Sequence, residues 1–192
     1  IGVPLSILEI NNNHEVAIIE MGANHKQEIT FLCNIVNPTH GAITNIGSAH
    51  LEGFKSLEGV IETKNELFNY LKENNGFIFV NNDDALLVRL AKKIKKKSYG
   101  ITSKLDTSIN SNTPFLSIMW GKKIIESNLI GEYQFYNISL AICIGHYFNI
   151  SKKQTQIAIQ SYIPKNNRSE IAKTESNIII MAAYNANPSS ME

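Results

Sequence analysis

Two short apolar segments, each ending in glycine and a polar residue, restrict this chain more than any other feature. Val16-Ala17-Ile18-Ile19 runs into Glu20-Met21-Gly22-Ala23-Asn24-His25, and Ala42-Ile43-Thr44 runs into Asn45-Ile46-Gly47-Ser48-Ala49-His50. A buried strand releasing its chain into a loop has this pattern. In an open parallel sheet, ligands sit outside the carboxyl ends of the strands. Glu20, Asn24, His25, Asn45 and His50 are therefore expected around one crevice, and their side chains suit a hard cation or a phosphate.

The segments between them fit an α/β arrangement. Residues 15 to 21 are expected as a first buried strand, unbroken in its apolar character like a strand covered on both faces. Residues 26 to 37 read as a helix with Ile29, Leu32, Cys33 and Val36 on one face, ended by Asn37-Pro38. A second strand at about 40 to 46 would complete a β-α-β unit. Ser56 then caps a helix to about Asn74, whose apolar stripe is Leu57, Ile61, Phe68 and Leu71, beside Val60 and Leu67. Lys64 falls inside that stripe, three residues from Ile61 and four from Phe68. An ammonium group carried there is costly unless paired or altered.

Gly76 to Val80 reads as a third strand, followed by a helix at about 84 to 95 capped from Asn81-Asn82-Asp83-Asp84. Its basic run, Lys92 to Lys97, is read as a solvated helix end rather than a phosphate site. Residues 98 to 101 suggest a short strand, 102 to 113 a Ser/Thr/Asn-rich loop, and Phe115 to Ile130 a β-hairpin turning at Gly121-Lys122-Lys123. Helices are expected from Tyr133 to Phe148 and, capped by Ser151, from 152 to 162. Strands near Ser169 to Lys173 and Ile178 to Met181 follow, with a turn at Glu175-Ser176-Asn177.

Composition excludes several classes of partner. A net charge of +1 recruits neither nucleic acid nor a membrane surface. No run approaches the roughly 20 apolar residues that span a bilayer, and no signal-peptide order opens the chain. Cys33 and Cys143 lie in apolar patterns without paired spacing, so two buried free thiols in a reducing, cytoplasmic setting are expected. With 192 residues and 43% hydrophobic content, the chain suffices for one large domain, or one domain and a piece of another. Its ends, Ile1-Gly2-Val3-Pro4 and Pro188-Ser189-Ser190-Met191-Glu192, look cut, so a fragment is expected.

Each candidate residue also has a plain structural reading. Glu20 at a strand tip can hold Mg²⁺, or simply cap a helix or form a salt bridge. His50 can be a ligand or a hydrogen-bonded spacer. Lys64, with its pKa lowered by burial, can pair, act as a base or take up CO₂ as a carbamate, or it can reach out to solvent. Neither GxxxxGK[ST] nor GxGxxG occurs, so the chain has no standard phosphate-cradling loop.

Taken in order, Glu20 to His25, Thr44 to Phe54, Ser56-Leu57-Glu58-Gly59-Val60, Lys64-Asn65-Glu66 and Tyr184-Asn185-Ala186-Asn187-Pro188 closely resemble the Mur ligase family. Within the family the match is to the members that join D-alanyl-D-alanine to UDP-N-acetylmuramoyl-tripeptide. The wording around Gly131-Glu132-Tyr133 and Asn166-Asn167-Arg168-Ser169 resembles versions from the Bacteroidetes lineage. The resemblance implies an α/β fold with a mostly parallel sheet flanked by helices, a small β-hairpin and the first strands of a C-terminal Rossmann-like domain. Residues 1–163 would be the central ATP-binding domain without its phosphate loop, which would lie upstream of Ile1, and 164–192 the start of the C-terminal ligase domain.

The resemblance also implies cofactors and roles. ATP and two Mg²⁺ ions are expected, in a cytoplasmic monomer that binds those two substrates and forms the amide through an acyl phosphate. Glu20 would bind one Mg²⁺ and His50 the second. Lys64 would be the lysine that the family often carbamylates. Asn137 matches an asparagine beside adenine, Arg168 an arginine near the nucleotide, and Asn185 and Asn187 a loop facing ATP. Asn24, His25 and Asn45 would line the substrate crevice. Two departures stand out: Tyr133-Gln134 where many relatives have His-Asn, and Ala182-Ala183 where relatives commonly carry an aspartate. Another Mur ligase or a folylpolyglutamate synthase would share the scaffold, and a non-catalytic scaffold domain is the reading of a different class.

Overall fold

The computed structural model describes residues 2–47, 54, 56–164, 170–173 and 175–181. The chain has an α/β fold and divides into two compact units. One comprises the residues up to Val80 together with Arg89–Lys96, and the other Asn81–Val88 together with the chain from Lys97 onward.

The first unit contains helices α1 (Gly2–Leu8) and α2 (Glu28–Val36), strand β1 (His40–Ala42) and helix α3 (Leu57–Glu73). Strand β2 (Phe77–Asn81) follows. β1 and β2 run parallel, with His40 opposite Phe77, Gly41 opposite Ile78 and Ala42 opposite Phe79. α3 is the crossover between them. Ser56 starts it, its hydroxyl accepting the Gly59 N–H at 3.1 Å. Val60, Thr63, Leu67, Phe68 and Leu71 recur at helical spacing and form its buried face. Burying a side chain such as Phe68 or Leu71, both at 0% exposure, contributes about 1.5–3 kcal/mol. A β-carbon at Gly41 would lie 2.7 Å from Leu71 Cδ1, so the missing side chain lets the helix settle on the strand. α2 packs on α3, and α1 on α2.

Helix α4 (Ala85–Leu90) and strand β3 (Lys95–Tyr99) lead on, and β3 completes a sheet of order β1-β2-β3. In the second unit β4 (Thr107–Ser111), β5 (Ser117–Trp120) and β6 (Lys123–Glu126) form an antiparallel sheet. Trp120 pairs with Lys123 across a two-residue turn, where Gly121 takes a φ of 61°. α5 (Gln134–Tyr147) packs on α6 (Lys152–Ser161) and β4. Ser151 and Gln154 close a full capping box at the start of α6. β7 (Glu170–Lys173) and β8 (Ile178–Met181) make an antiparallel hairpin, as the sequence suggests.

Four expectations are corrected. Residues 15–21 form no strand: Val16 is 54% and Ile18 86% exposed. An apolar run becomes buried only against a second surface, and among the described residues no strand pairs with this one. The parallel unit is therefore β1-α3-β2. The helix expected to residue 95 stops at Leu90, because Lys93 adopts a left-handed φ of 62° and Lys95 turns extended. Half of the basic run, Lys95 to Lys97, thus lies in β3, which among the described residues is an edge strand, where lysines deter further strand pairing. The expected loop at 102–113 contains β4, a polar strand with only Thr107 buried, which hydrophobic alternation could not reveal. On α3, Leu57 is 46% exposed and lies off the buried face.

Candidate functional site

In the first unit, Glu20, Gly22 and Glu28 line a cleft of about 620 Å³ with Gly2, Val3, Ser6, Phe31 and Leu32. Glu20 is exposed to it. Just beyond lies the Asn24–Gln27 turn, built by carboxylates. Glu28 Oε2 accepts the Asn24 N–H at 2.7 Å and the His25 N–H at 3.1 Å, while His25 Nδ1 lies 3.2 Å from Oε1. These backbone bonds, first that of Asn24, and then the imidazole hold the Glu28 carboxyl below its usual range.

α3 supplies the rest. Glu66 accepts from the backbone N–H groups of Gln27 and Thr30, and Glu62 pairs with Lys26. Lys64 Nζ donates to the Asn45 carbonyl at 2.8 Å, where the chain leaves β1. Burial pushes the Lys64 amine below its ordinary value, as expected for a stem carried on a half-buried face. The unit thus offers an open carboxylate on a cleft, an amine whose pKa burial lowers, and a loop tied to the helix that bears that amine.

Of the sequence-derived candidates, Glu20, Asn24 and His25 share the segment that leads into α2, and Asn45 meets Lys64 directly. His50, Arg168, Asn185 and Asn187 lie outside the described residues. Among the described residues no three of His, Cys, Asp and Glu are grouped to hold a metal. Glu20 supplies hard oxygen donors suited to Mg²⁺, whereas Lys64 suits that ion only as a carbamate, since a protonated amine carries no free lone pair.

Asn137 lies exposed on α5 in the second unit, and its amide donates to Gln134 Oε1 at 2.8 Å. Near that helix, Asp83 accepts from the N–H groups of Ile101 (2.7 Å) and Thr102 (2.9 Å). Burial opposes its charge, but Thr102 and the Tyr136 hydroxyl outweigh that and hold the carboxyl low. Sequence reasoning treated Asp83 as part of a helix cap. Asp84 does that work, accepting from Leu86 and Leu87. The roles of Glu28, Glu62 and Glu66 were also missed. Glu28 was findable, because an acid three or four residues after a glycine-led turn suits backbone capping, whereas Glu66 lies 39 residues from Gln27.

A parallel strand pair bridged by a packed helix, with polar groups gathered beside it, defines an α/β domain of ligand-binding type. The model of the Mur ligase middle domain matches residues 1–145. The UDP-N-acetylmuramoyl-tripeptide--D-alanyl-D-alanine ligase of Bacillus subtilis (strain 168) is 33% identical over 198 residues, covering 100% of this chain and 43% of that protein. A crystal structure of MurF from Acinetobacter baumannii superposes with a TM-score of 0.86 at 25% identity, covering 98% of this chain and 43% of that one. For the MurF ligase from Thermotoga maritima in complex with ADP the values are 0.81, 25%, 98% and 45%. This chain belongs to the Mur ligase family. It spans less than half the length of these relatives. Among the described residues no helix is long and apolar enough to cross a membrane.

Proposed function

We propose that this chain is the central part of a cytoplasmic, monomeric ATP-dependent ligase that joins D-alanyl-D-alanine to UDP-N-acetylmuramoyl-tripeptide in peptidoglycan precursor synthesis. On this reading residues 1–163 belong to the ATP-binding domain and 164–192 begin the ligase domain. The similarity to D-alanyl-D-alanine ligases along the whole chain supports it. So does one geometric observation: Lys64, a half-buried amine on α3, is held at the loop that leaves β1.

The terminal carboxylate of the tripeptide attacks the γ-phosphorus of ATP, releasing ADP and leaving an acyl phosphate. The amine of D-alanyl-D-alanine then attacks the acyl carbon, forms the amide and expels phosphate. Mg²⁺, when bound, neutralises the oxygens that gather charge in the phosphoryl transfer. Glu20 and His50 would hold the two ions, with Lys64 serving the second as a carbamate. That modification needs the neutral amine, whose lone pair bonds to the carbon of CO₂ as a proton leaves nitrogen, and a lowered pKa increases the neutral fraction. Asn24, His25 and Asn45 would face the peptide. Asn137, Arg168, Asn185 and Asn187 would face the nucleotide.

In the full-length protein carrying this sequence, Lys64→Ala is expected to cut ligation by at least ~10²-fold, with partial recovery on adding formate or acetate as a surrogate carboxylate. Product formation by the variant at the unmodified rate would remove Lys64 from the mechanism.

A further inference from the structure

Helix α2 begins without a cap of its own. Gln27 stands at its N-cap in a left-handed conformation, φ 70°, and makes no side-chain cap bond. The first N–H groups of a helix have no partner within it. Here the N-cap donor and that of the third helical residue are met from another helix. Glu66 Oε1 accepts the Gln27 N–H at 2.7 Å, and Oε2 accepts the Thr30 N–H at 2.9 Å and the Thr30 hydroxyl at 3.1 Å. In a capping box two side chains divide the N-cap and third-position donors between them. In this protein one carboxylate from α3 takes both.

Its neighbours extend the arrangement. One turn earlier, Glu62 pairs with Lys26 of the same loop. Lys64, two residues from each and on the other side of the helix, donates to the Asn45 carbonyl at 2.8 Å. α3 therefore holds the Asn24–Gln27 loop on one side and the Asn45 loop on the other.

We propose that Glu66 is a positioning residue: it clamps the Asn24–His25 loop to the helix that carries Lys64, and so sets the peptide-facing groups at a fixed distance from the amine. This rests on the reading above, in which Asn24 and His25 face the peptide substrate. The clamp needs a carboxylate, because both of its oxygens are in use. A glutamine offers a single acceptor oxygen and leaves the Gln27 or the Thr30 N–H unmet. Negative charge is also favoured at this helix end by the dipole.

The test uses the full-length protein and compares wild type, Glu66→Gln and Glu66→Asp. In Glu66→Gln, KM for UDP-N-acetylmuramoyl-tripeptide should rise roughly tenfold, as the loss of one charge-assisted bond implies, while KM for ATP holds. Glu66→Asp should recover part of the loss. Amide hydrogen exchange at Gln27 and Thr30 should quicken in Glu66→Gln, with the Val60–Leu71 segment unchanged. Equal changes in both KM values, unchanged kinetics or unchanged exchange would overturn the proposal. Should Glu66→Gln fail to fold, Thr30→Val removes one of the three bonds and should show the same split at smaller size, and a uniform effect there would overturn it. A wild-type protein without ligase activity would instead sink the reading of the site, and the exchange measurement would still decide whether Glu66 holds the loop.

Discussion

Burial acts with opposite sign on the amine and on the two thiols. It pushes Cys33 and Cys143 up to about 11 from an ordinary 9.0, because a thiolate is poorly solvated there, and Glu66 adds to the effect at Cys33. Between pH 9 and 11 the unfolded chain gives up protons that the folded chain keeps, so the native state loses stability as pH rises. Tyr99, buried and also raised above its ordinary 10.0, adds to that loss at the alkaline end. Lys64 works the other way. Its folded amine titrates below 10.5, so the cost of burying the ammonium is relieved as pH climbs towards that value. The urea midpoint of the chain is therefore expected to fall from pH 9 to 11, and to fall less steeply in the Cys33→Ala/Cys143→Ala double variant. Identical slopes would contradict the assignment. The half-buried lysine was legible from its place between Ile61 and Phe68, whereas its partner, a backbone carbonyl, leaves no mark on the sequence.

Among the elements, the two with local start signals came through best. Ser56 and Ser151 were both readable as caps, and both accept the helix N–H expected of them. Ser56→Ala is expected to cost ~1 kcal/mol, measured by urea denaturation. Gly59, three residues on, has a stricter role. A β-carbon there would lie 2.3 Å from the Phe54 carbonyl oxygen, a backbone atom that cannot swing aside. Gly59→Ala should therefore cost about 1–3 kcal/mol by the same assay, and an unchanged midpoint would show that the approach is relieved by movement. The elements misread lack such signals. β4 is polar, β3 is a run of lysines, and the apolar stretch before Glu20 has the composition of a strand but no pairing partner among the described residues.

At the scale of the molecule, the 192 residues contain no GxxxxGK[ST] and span less than half the length of the D-alanyl-D-alanine ligases they resemble. What the amino-acid order determined alone was the alternation of strands and helices in most of the chain, the caps, the two buried thiols, the half-buried lysine and the family, because each is written in neighbouring residues or in contiguous motifs. Tertiary structure decided which apolar runs are covered and which carboxylate meets which N–H. Glu66 reaches Gln27 across 39 positions, and a pairing of that kind exists only once α2 has packed on α3, since nothing local to either residue specifies the other.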